Sequence, residues 1–333
     1  MKKISFVVPC YNSEDYMEKC IDSLLLGKDD IEIIIIDDGS KDNTSKIADN
    51  YAKKYNFIKV IHQENGGHGE GINRGIKEST GKYFKVVDSD DWIDQSSYKE
   101  LLNNIDNIDS DLIVMNYVYT YTDGRKNQSI KFNNIFPTNK ECHWKDTKRF
   151  KINQYLMLHS LMFKKDVINK ANIDLPKHVF YEDNLFVYQV LKYVDTIYYM
   201  NLDFYHYFIG REDQSVQEPQ MIKRSSHAAL ISKSVGTLYD LEDINDKRHK
   251  NVMKRHASMI ISLGAIFSRL GMTDEGEEQV KDIFKTIKVK NLKFYKKLMK
   301  PTNMAFWSAM PGKAGRFVVV KLYRVAHKIV KFN

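Results

Sequence analysis

The chain has 333 residues, 43% of them hydrophobic, which excludes a disordered polymer and suits one large domain with an appendage or two domains. Its formal net charge is +8, but residues 281–333 hold fourteen lysines and arginines against one acid, Asp282, so this end carries +13 and residues 1–280 carry −5. Three scattered cysteines exclude a disulfide framework, and no stretch approaches the roughly 18 apolar residues of a membrane span, so we expect a cytoplasmic protein without a transmembrane segment.

The first hundred residues alternate between strand and helix patterns. In chain order, the predicted elements are strand Ile4–Val8, helix Glu14–Leu26, strand Ile31–Ile36, helix Asp42–Tyr55, strand Phe57–Ile61, helix His68–Glu78 and strand Tyr83–Val87. This alternation predicts a doubly wound, mostly parallel sheet with helices on both faces. Because ligands bind beyond the carboxyl ends of the strands in such sheets, the residues that follow each strand are the candidates for function.

Beyond about residue 110 the alternation gives way to a different pattern. Predicted strands cover 111–122, 128–135 and 197–207, and predicted helices cover 150–159, 179–193, 221–241, 245–270 and 274–290. Pro301 and Pro311-Gly312 interrupt the last part before a final helix that begins near Arg316. We therefore expect an α/β unit followed by a mainly helical C-terminal region over residues 221–333.

Two acids one residue apart, in Asp88-Ser89-Asp90, follow the fourth predicted strand. Such a pair can face one cavity, where one carboxylate holds Mg²⁺ or Mn²⁺ and the other accepts a hydroxyl hydrogen bond. The same pattern is common in loops that cap helices, so the motif alone leaves both interpretations open.

The ends of the second and third strands carry two further polar groups. Asp37-Asp38-Gly39-Ser40 suits the hydroxyl and N–H groups of a nucleoside, and it equally suits an ordinary Asp-Gly turn. Gly66-Gly67-His68-Gly69-Glu70-Gly71 is similar to a phosphate-binding loop at a helix start, although it follows the third strand rather than the first. Arg74, further along that helix, either reaches a diphosphate or is a solvated helix charge.

The order of these groups is more specific than any one of them. It resembles the family-2 glycosyltransferases of GT-A fold, a Rossmann-like and mostly parallel sheet flanked by helices, over about residues 3–100. The matching motifs are Val7-Val8-Pro9-Cys10-Tyr11-Asn12, Ile36-Asp37-Asp38-Gly39-Ser40-Lys41-Asp42, Asn73-Arg74-Gly75 and Val87-Asp88-Ser89-Asp90-Asp91-Trp92. Downstream, Glu182-Asp183 resembles the acidic pair of this family at a helix start, and Tyr205-His206-Tyr207 with Arg211 and Ser215 resembles its closing aromatic and basic segment.

The resemblance implies a GT-A catalytic domain over residues 1–220, with a nucleotide-binding half at about 1–100 and an acceptor half at about 101–220. It also implies a role for each matching residue. Pro9, Tyr11 and Asp38 would contact the base, and Arg74 would lie at the base or the diphosphate. Gly67 and Ser89 would line the nucleotide-sugar site, Asp88 would contact the ribose, and Asp90 would ligate Mn²⁺ or Mg²⁺. His68 departs from the family, in which many members have a small or aliphatic residue, and would be either a ligand to the diphosphate in the nucleotide-sugar site or a surface histidine. Asp183 would be the general base, with Glu182 as its neighbour or substitute.

The implied reaction is an inverting, metal-dependent transfer from a nucleotide-sugar, with UDP favoured, to a surface polysaccharide or a lipid-linked glycan. A carboxylate would take the proton of the acceptor hydroxyl, and the hydroxyl would attack the anomeric carbon. Two alternatives are the same chemistry on a soluble polymer or protein, and an inactive glycosyltransferase-like scaffold subunit. The intact acids Asp38, Asp88, Asp90 and Asp183 disfavour the scaffold.

The basic segment, residues 281–333, finishes with a predicted amphipathic helix. Leu322, Val325 and Ile329 are expected on one face, widened by Val319, Tyr323 and Val330, whereas Phe317 and Val320 fall toward the cationic side with Lys321, Arg324, Lys328 and Lys331. Such a helix either packs on protein or docks on an anionic membrane, where each cation contributes about 1 kcal/mol. With a sugar-transferase core, residues 281–333 favour peripheral attachment at the inner face of the cell membrane. No nucleic-acid module is present in the sequence, and a homo-oligomer is left open.

Overall fold

The computed structural model describes residues 2–151, 154–210, 214 and 217–330, the last four of them as backbone only. The chain divides into two compact units. The first contains the described residues up to 179 and residues 189–210, and the second contains residues 180–188 and the described residues after 210.

The first unit is built on one mixed sheet with the strand order β3-β2-β1-β4-β9-β6-β10-β5, in which β7 pairs with β6 and β8 with β10. The strands are β1 (Ile4–Cys10), β2 (Ile31–Asp37), β3 (Ile58–His62), β4 (Tyr83–Val86), β5 (Trp92–Ile93), β6 (Leu112–Tyr121), β7 (Gln128–Ile130), β8 (Glu141–His143), β9 (Leu161–Lys164) and β10 (Thr196–Ile209). β1 to β4 pair in parallel, and so do β6 and β10, which confirms the mostly parallel sheet. The short antiparallel strands β5, β8 and β9 have no counterpart in the sequence prediction.

Helices flank this sheet, as expected. They are α1 (Met17–Leu24), α2 (Thr44–Lys54), α3 (His68–Glu78), α4 (Gln95–Asn104) and α5 (Lys165–Ala171), while α6 (Glu182–Leu191) begins with residues of the second unit. All seven residues of β1 are buried, and so are six of the seven in β2, because a parallel strand covered on both faces must be apolar on both.

Two glycines allow α3 to lie close against β1. A Cβ atom on Gly75 would lie 2.2 Å from Val7 Cγ1, and one on Gly71 would lie 3.0 Å from Pro9 Cβ. Since protein interiors are close-packed, any larger side chain at Gly75 would push the helix away from the strand. The glycines therefore fix the first turns of α3 beside the carboxyl end of β1.

The predicted helix over 150–159 is wrong. Its described part contains a single 3₁₀ turn, Leu158–Ser160, directly before β9. The Gln154 side chain donates to the carbonyl oxygen of Lys131 at 2.9 Å and accepts from the backbone of Lys151 at 3.0 Å. Side-chain hydrogen bonds to distant backbone thus replace the helical ladder here.

Three other predicted elements differ in extent. The strand predicted over 128–135 stops at Ile130, because Ile135 instead closes a turn onto the Phe132 carbonyl oxygen at 2.8 Å. The helix predicted over 221–241 is interrupted at Arg224. The final helix begins at Gly312, one turn before the predicted start near Arg316.

The second unit is helical. Its remaining helices are α7 (Glu218–Lys223), α8 (Ser225–Leu238), α9 (Lys247–Leu270), α10 (Asp274–Lys290), α11 (Leu292–Leu298), α12 (Met304–Ser308) and α13 (Gly312–Val330). The long helix α9 is buried along most of its length and packs against α8, α10, α12 and α13. None of the helices among the described residues combines the length and the apolar character that crossing a bilayer requires.

The buried and exposed faces of α13 differ from those predicted from the helical periodicity of the sequence. Val319 and Val320 are buried in a cluster with Ile266 and Phe267 of α9, and Tyr323 packs against the same cluster. Leu322 and Val325, the predicted centre of the apolar face, are instead exposed together with Phe317. The wheel was ambiguous because apolar residues occupy two sides of this helix. The predictions for Lys328, Ile329, Val330 and Lys331 concern side chains that lie outside the described part of the chain.

Candidate active site

Polar loops meet at the carboxyl ends of β1 and β2. The Asn12 N–H donates to Ser40 Oγ at 3.1 Å, and the Lys41 N–H donates to Asn12 Oδ1 at 2.8 Å. Asn12 adopts a left-handed backbone with φ of 49°, a conformation that asparagine tolerates better than most residues. Tyr11, the predicted base-stacking residue, is exposed at this edge.

Asp38 is buried and anchors the glycine-rich loop. Its Oδ1 accepts from the Gly66 N–H and from Gln63 Nε2, both at 2.8 Å, and its Oδ2 accepts from the Gly67 N–H at 2.7 Å. The carboxylate therefore satisfies backbone donors directly before α3, which are otherwise without partners at a helix start. The observed role of Asp38 is thus to anchor this loop, and its contact with a nucleotide base stays a prediction.

The turn into α3 depends on glycine at position 67. Gly67 has φ of +85°, and a Cβ atom there would lie 2.9 Å from the backbone nitrogen of His178. Because a side chain would be both strained and crowded, only glycine fits this turn. The next residue, His68, is the first residue of α3, and the turn places its imidazole beside Asp88, which follows β4.

Asp88 lies between two imidazoles. His68 Nε2 is 2.9 Å from its Oδ1, and His159 Nε2 is 3.7 Å from its Oδ2. Burial raises the pKa of the Asp88 carboxyl, but the nearby imidazoles of His159 and His68 outweigh burial and hold that pKa below its ordinary value. The Asp88 carboxyl is therefore an anion that the fold itself stabilises.

Asp91 is tied to β10 by both of its carboxylate oxygens. The Tyr205 hydroxyl donates to Oδ2 at 2.6 Å, and the Phe208 N–H donates to Oδ1 at 2.7 Å. The same hydroxyl accepts from the Asp88 N–H at 3.1 Å, so one tyrosine connects both acids. Burial, followed by the charges of Asp90 and Asp88, raises the pKa of Asp91 well above its usual range.

Asp88, Asp91 and His159 form a group that suits a divalent cation. One ligand atom from each lies within 4.8 Å of the others. His159 is buried, and within the described part of the chain its Nδ1 has no hydrogen-bond partner. Two carboxylates and an imidazole fit Mn²⁺ better than Mg²⁺, since Mg²⁺ prefers oxygen ligands alone. The predicted ligand, Asp90, is half-buried beside this group but is not part of it.

His159 was not predicted from the sequence, and no pattern around it could have revealed its position. It lies in the 3₁₀ turn before β9, within the segment wrongly predicted as helix. A single histidine far along the chain becomes a neighbour of Asp88 only after β9 pairs with β4. Asp91 was visible as part of Asp88-Ser89-Asp90-Asp91, although without a predicted role.

A buried lysine, Lys85, holds the backbone of the turn that contains His159. Lys85 of β4 donates to the carbonyl oxygens of His159 at 2.9 Å and Leu161 at 3.1 Å, and its Nζ lies 4.9 Å from the centre of the Tyr205 ring. Burial lowers the pKa of Lys85 to about 7, despite the opposing charges of Asp88 and Asp91. Lys85 thus connects β4 to the turn that carries His159.

The other predicted nucleotide-site residues lie along the same edge or further into the sheet. Pro9 is buried in β1 opposite Ile36. Ser89 Oγ is 2.8 Å from Ser13 Oγ, which links the loop after β4 to the loop after β1. Arg74 pairs with Glu78 on α3 at 3.0 Å.

The predicted acidic pair belongs to the second unit, at the first turn of α6. Glu182 is buried, and Asp183 Oδ1 accepts from Asn184 Nδ2 at 2.9 Å. Tyr181, directly before the helix, has φ of 69° and packs against Phe267. This strained entry sets the direction in which α6 begins.

The aromatic segment predicted to close the catalytic domain lies in β10. Tyr205 is described above, and His206 stacks on Trp92 with ring centres 5.2 Å apart. Tyr207 lies 4.4 Å from the His159 ring, centre to centre. Arg211 and Ser215, named with this segment, lie outside the described residues.

Comparison with known proteins places this site in a family. The sequence profile described as "Glycosyl transferase family 2" matches residues 5–167. The chain is 31% identical over 244 residues to the putative glycosyltransferase EpsH of Bacillus subtilis, covering 69% of this chain and 70% of that protein. It is 39% identical over 124 residues to the glycosyltransferase GlyG of Streptococcus pneumoniae, covering 36% and 41% respectively.

Solved structures share the fold at lower sequence identity. TarS of S. aureus, determined in complex with UDP-GlcNAc, superimposes with a TM-score of 0.67 at 21% identity, covering 97% of this chain and 92% of that one. A mannosyltransferase from Pyrobaculum calidifontis, determined with GDP-Man and Mn²⁺, gives a TM-score of 0.50 at 11% identity and covers 99% of this chain. These similarities show the GT-A fold.

Proposed function

Because the chain belongs to glycosyl transferase family 2, we propose that it is an inverting, metal-dependent glycosyltransferase that uses a UDP-sugar. The observation that carries this proposal is Asp88, a stabilised anion between His68 and His159 at the carboxyl end of β4. A carboxylate held ionised at the ligand-binding edge of the fold is suited to a cation or a sugar hydroxyl.

The cation site would use the sequence-predicted ligand Asp90 together with the neighbouring group of Asp88, Asp91 and His159. A bound Mn²⁺ or Mg²⁺ would offset the negative charge that develops on the leaving diphosphate. Asp91 is held by Tyr205 and by the backbone of Phe208, so its carboxylate is already oriented before any ligand arrives. Such preorientation lowers the cost of ordering a site on binding.

The donor would lie across the ends of β1, β2 and β4. Tyr11 offers an exposed ring for the base, with Pro9, Asp38 and Arg74 as the other candidates for the base or diphosphate. Asp88 and Ser89 would face the ribose, and Gly67 with His68 would line the diphosphate. TarS, which shares the fold, was determined with UDP-GlcNAc, and this supports UDP over other nucleotides.

The transfer step needs one base and one displacement. Asp183, with Glu182 as its neighbour, would accept the proton of the acceptor hydroxyl. The hydroxyl oxygen would then bond to the anomeric carbon, while the bond from that carbon to the diphosphate breaks and UDP leaves with the electron pair. A single displacement inverts the anomeric centre, and no residue of the chain becomes covalently attached.

The acceptor would be a surface polysaccharide or a lipid-linked glycan. Residues 1–220 would form the catalytic domain, with the nucleotide half at about 1–100, the acceptor half at about 101–220 and a helical region over 221–333. The net charge of +13 on residues 281–333 supports a peripheral, cytoplasmic position at the inner face of the membrane. The alternatives are a soluble polymer or protein acceptor, or an inactive scaffold subunit, and a homo-oligomer is compatible with each.

A nucleotide-sugar screen by thermal shift tests the donor and the metal together. UDP-sugars should raise the melting temperature in Mn²⁺ but not in EDTA, since a ligand that binds only the native state stabilises it by mass action. Asp90→Ala should weaken this shift greatly. Unchanged binding of UDP-sugars in EDTA would remove the metal from the proposal.

Asp183→Asn tests the base separately from the donor site. The variant should retain the UDP-sugar thermal shift and lose transfer by about 10²–10⁴-fold, the usual contribution of a general base. Near-normal turnover would assign the base to another residue. No transfer by the wild-type protein to any glycan acceptor, with intact donor binding, would favour the scaffold alternative.

A further inference from the structure

The helix α13 is apolar on two opposite sides, and its own unit covers only one of them. On the covered side, Val319 and Val320 are buried against α9, and the Tyr323 ring lies 6.4 Å from that of Phe267. The Tyr323 hydroxyl also lies 3.4 Å from the Met221 sulfur. This side accounts for the packing of α13 within the second unit.

The other side of α13 is exposed. Phe317 is 57% exposed, Val318 39%, Leu322 62% and Val325 46%. Val318, Leu322 and Val325 follow one another at spacings of four and three residues, which places them on one helical face, and Phe317 lies on the adjoining side, where Lys321 Nζ is 5.8 Å from the centre of its ring. An exposed apolar face on a helix whose other apolar face is already packed calls for a partner. Trp307, on the preceding short helix α12, is 52% exposed as well.

Buried arginines hold this surface in place. Arg269 of α9 forms a two-pronged ion pair with Glu277 and also donates to the carbonyl oxygens of Ser308 and Met310, directly before α13. Arg316, within α13, donates to the carbonyl oxygen of Thr273. These hydrogen bonds therefore fix α13, and with it the exposed face, to the end of α9.

The charges around this face select its partner. Lys313, Lys321 and Arg324 of α13 are all exposed, and Lys321 falls between Phe317 and Leu322 on the apolar face itself. A second copy of the chain would bring the same excess of positive charge to the contact, and like charges oppose such pairing. An anionic lipid surface instead matches both features, because its headgroups attract the cations and its acyl boundary accepts the apolar side chains.

We propose that the outer face of α13, formed by Phe317, Val318, Leu322 and Val325 with Trp307 as an interfacial anchor, docks the protein on an anionic lipid bilayer. The helix would lie in the plane of the interface, with Val319 and Val320 still packed on α9. This goes beyond a general attraction of the basic region, because it assigns packing to one side of α13 and lipid to the other. Its purpose, access to a membrane-bound acceptor, rests on the proposed function.

Cosedimentation of the full chain with vesicles tests the assignment. The double variant Phe317→Ser/Leu322→Ser keeps the net charge and should lower the partition coefficient on phosphatidylglycerol–phosphatidylcholine vesicles by at least about tenfold. The matched control is Leu26→Ser, an exposed apolar residue of the first unit, which should bind as the wild type does. Equal binding by the double variant, or an equal loss in the control, would overturn the proposal.

Trp307 fluorescence gives a second, local readout. Adding the anionic vesicles should shift the emission of the wild type to shorter wavelength, and Trp307→Phe should abolish that shift while keeping vesicle binding. An unchanged shift in Trp307→Phe would show that Trp307 does not enter the interface. If the double variant converts a lipid-free dimer to a monomer without changing vesicle binding, the face is a protein interface.

The same variants separate this proposal from the proposed function. Each should retain the UDP-sugar thermal shift in Mn²⁺, because the substitutions are confined to α12 and α13. Loss of docking as predicted, with no UDP-sugar shift in any form of the protein, would leave the docking surface standing and contradict the transferase proposal. A UDP-sugar shift in the wild type without any vesicle binding would contradict the docking surface and leave the transferase proposal standing.

Discussion

The two units of this chain use charged residues in opposite ways. The sheet unit buries Asp38, Asp91 and Lys85, and each of them is held by at least two hydrogen bonds. The helical unit exposes most of its cations, and its buried Arg269 joins helices. Ionisable groups in the first unit therefore order the candidate site, whereas those in the second unit join helices and lie on the surface.

The difference shows why the total charge of a protein says little about where it acts. A buried ion costs several kcal/mol to desolvate, so a buried ionisable group needs partners that fix its position, and its pKa can shift toward the neutral form, as at Asp91 and Lys85. An exposed ion keeps its hydration, so it costs little free energy and can bind an anionic surface such as a membrane. Substitutions in the two units should differ accordingly.

The largest effect on stability is expected at Arg269. Arg269→Met leaves Glu277 and the carbonyl oxygens of Ser308 and Met310 without their donor, and the free energy of unfolding should fall by about 3–5 kcal/mol in chemical denaturation. The matched control is Arg324→Met, which removes an exposed pair with Glu218 and should cost less than about 1 kcal/mol. Equal costs would erase the contrast between buried and exposed charge within the helical unit.

Asp38→Ala is expected to rank second. It removes the acceptor for the Gly66 and Gly67 N–H groups and should lower the free energy of unfolding by about 2–3 kcal/mol, with weaker UDP binding because the loop before His68 is released. Asp94→Ala removes the cap of α4 and should cost about 1 kcal/mol without affecting UDP binding. If UDP binding responds equally to both, the anchoring role of Asp38 is wrong.

Lys85→Met should have a smaller effect, visible as a change in pH dependence. Burial lowers the pKa of Lys85 to about 7, below its unfolded value, so between about pH 7 and 10 the unfolded chain binds more protons and wild-type stability rises with pH. The neutral variant should lack this rise, and the difference between the two proteins should change by about 2 kcal/mol from pH 7 to pH 9. Parallel pH profiles would show that Lys85 does not bear a shifted charge.

The smallest effect is expected at the exposed cations of α13. Lys313→Gln/Lys321→Gln should change the free energy of unfolding by less than about 0.5 kcal/mol, because neither side chain is buried. The same variant should weaken vesicle binding at low salt and lose that difference at high salt, where charges are screened. A large loss of stability would mean that these lysines support the fold.

The sequence was sufficient for the elements whose pattern is local. Strands β1 to β4 and helix α3 are close to their predicted bounds, since buried parallel strands and amphipathic helices repeat with fixed periods. The Gly67 turn and the acids after β4 were also recognisable, because special backbone angles and carboxylate clusters restrict residue type. The order of these motifs led to the correct fold.

The rest depended on contacts between distant segments. His159 meets Asp88 across 71 positions of sequence, and Tyr205 meets Asp91 across 114, so neither pair leaves a local pattern. Helix α13 is apolar on both sides, and only the packing of Val319 and Val320 on α9 decides which side is covered. Side-chain hydrogen bonds of Gln154 likewise overrode the helical periodicity over 150–159.

The most direct test of the candidate site is a calorimetric titration of UDP in the presence of Mn²⁺, comparing the wild type with Asp88→Asn and His159→Gln. The amide of Asp88→Asn keeps the size of the side chain but removes the anion, and His159→Gln removes the imidazole from the Asp88–Asp91–His159 group. Both variants should lose Mn²⁺-dependent UDP binding by about tenfold or more, the usual cost of losing a metal ligand or its supporting partner. Wild-type affinity in both folded variants would contradict a nucleotide-sugar site at the end of β4.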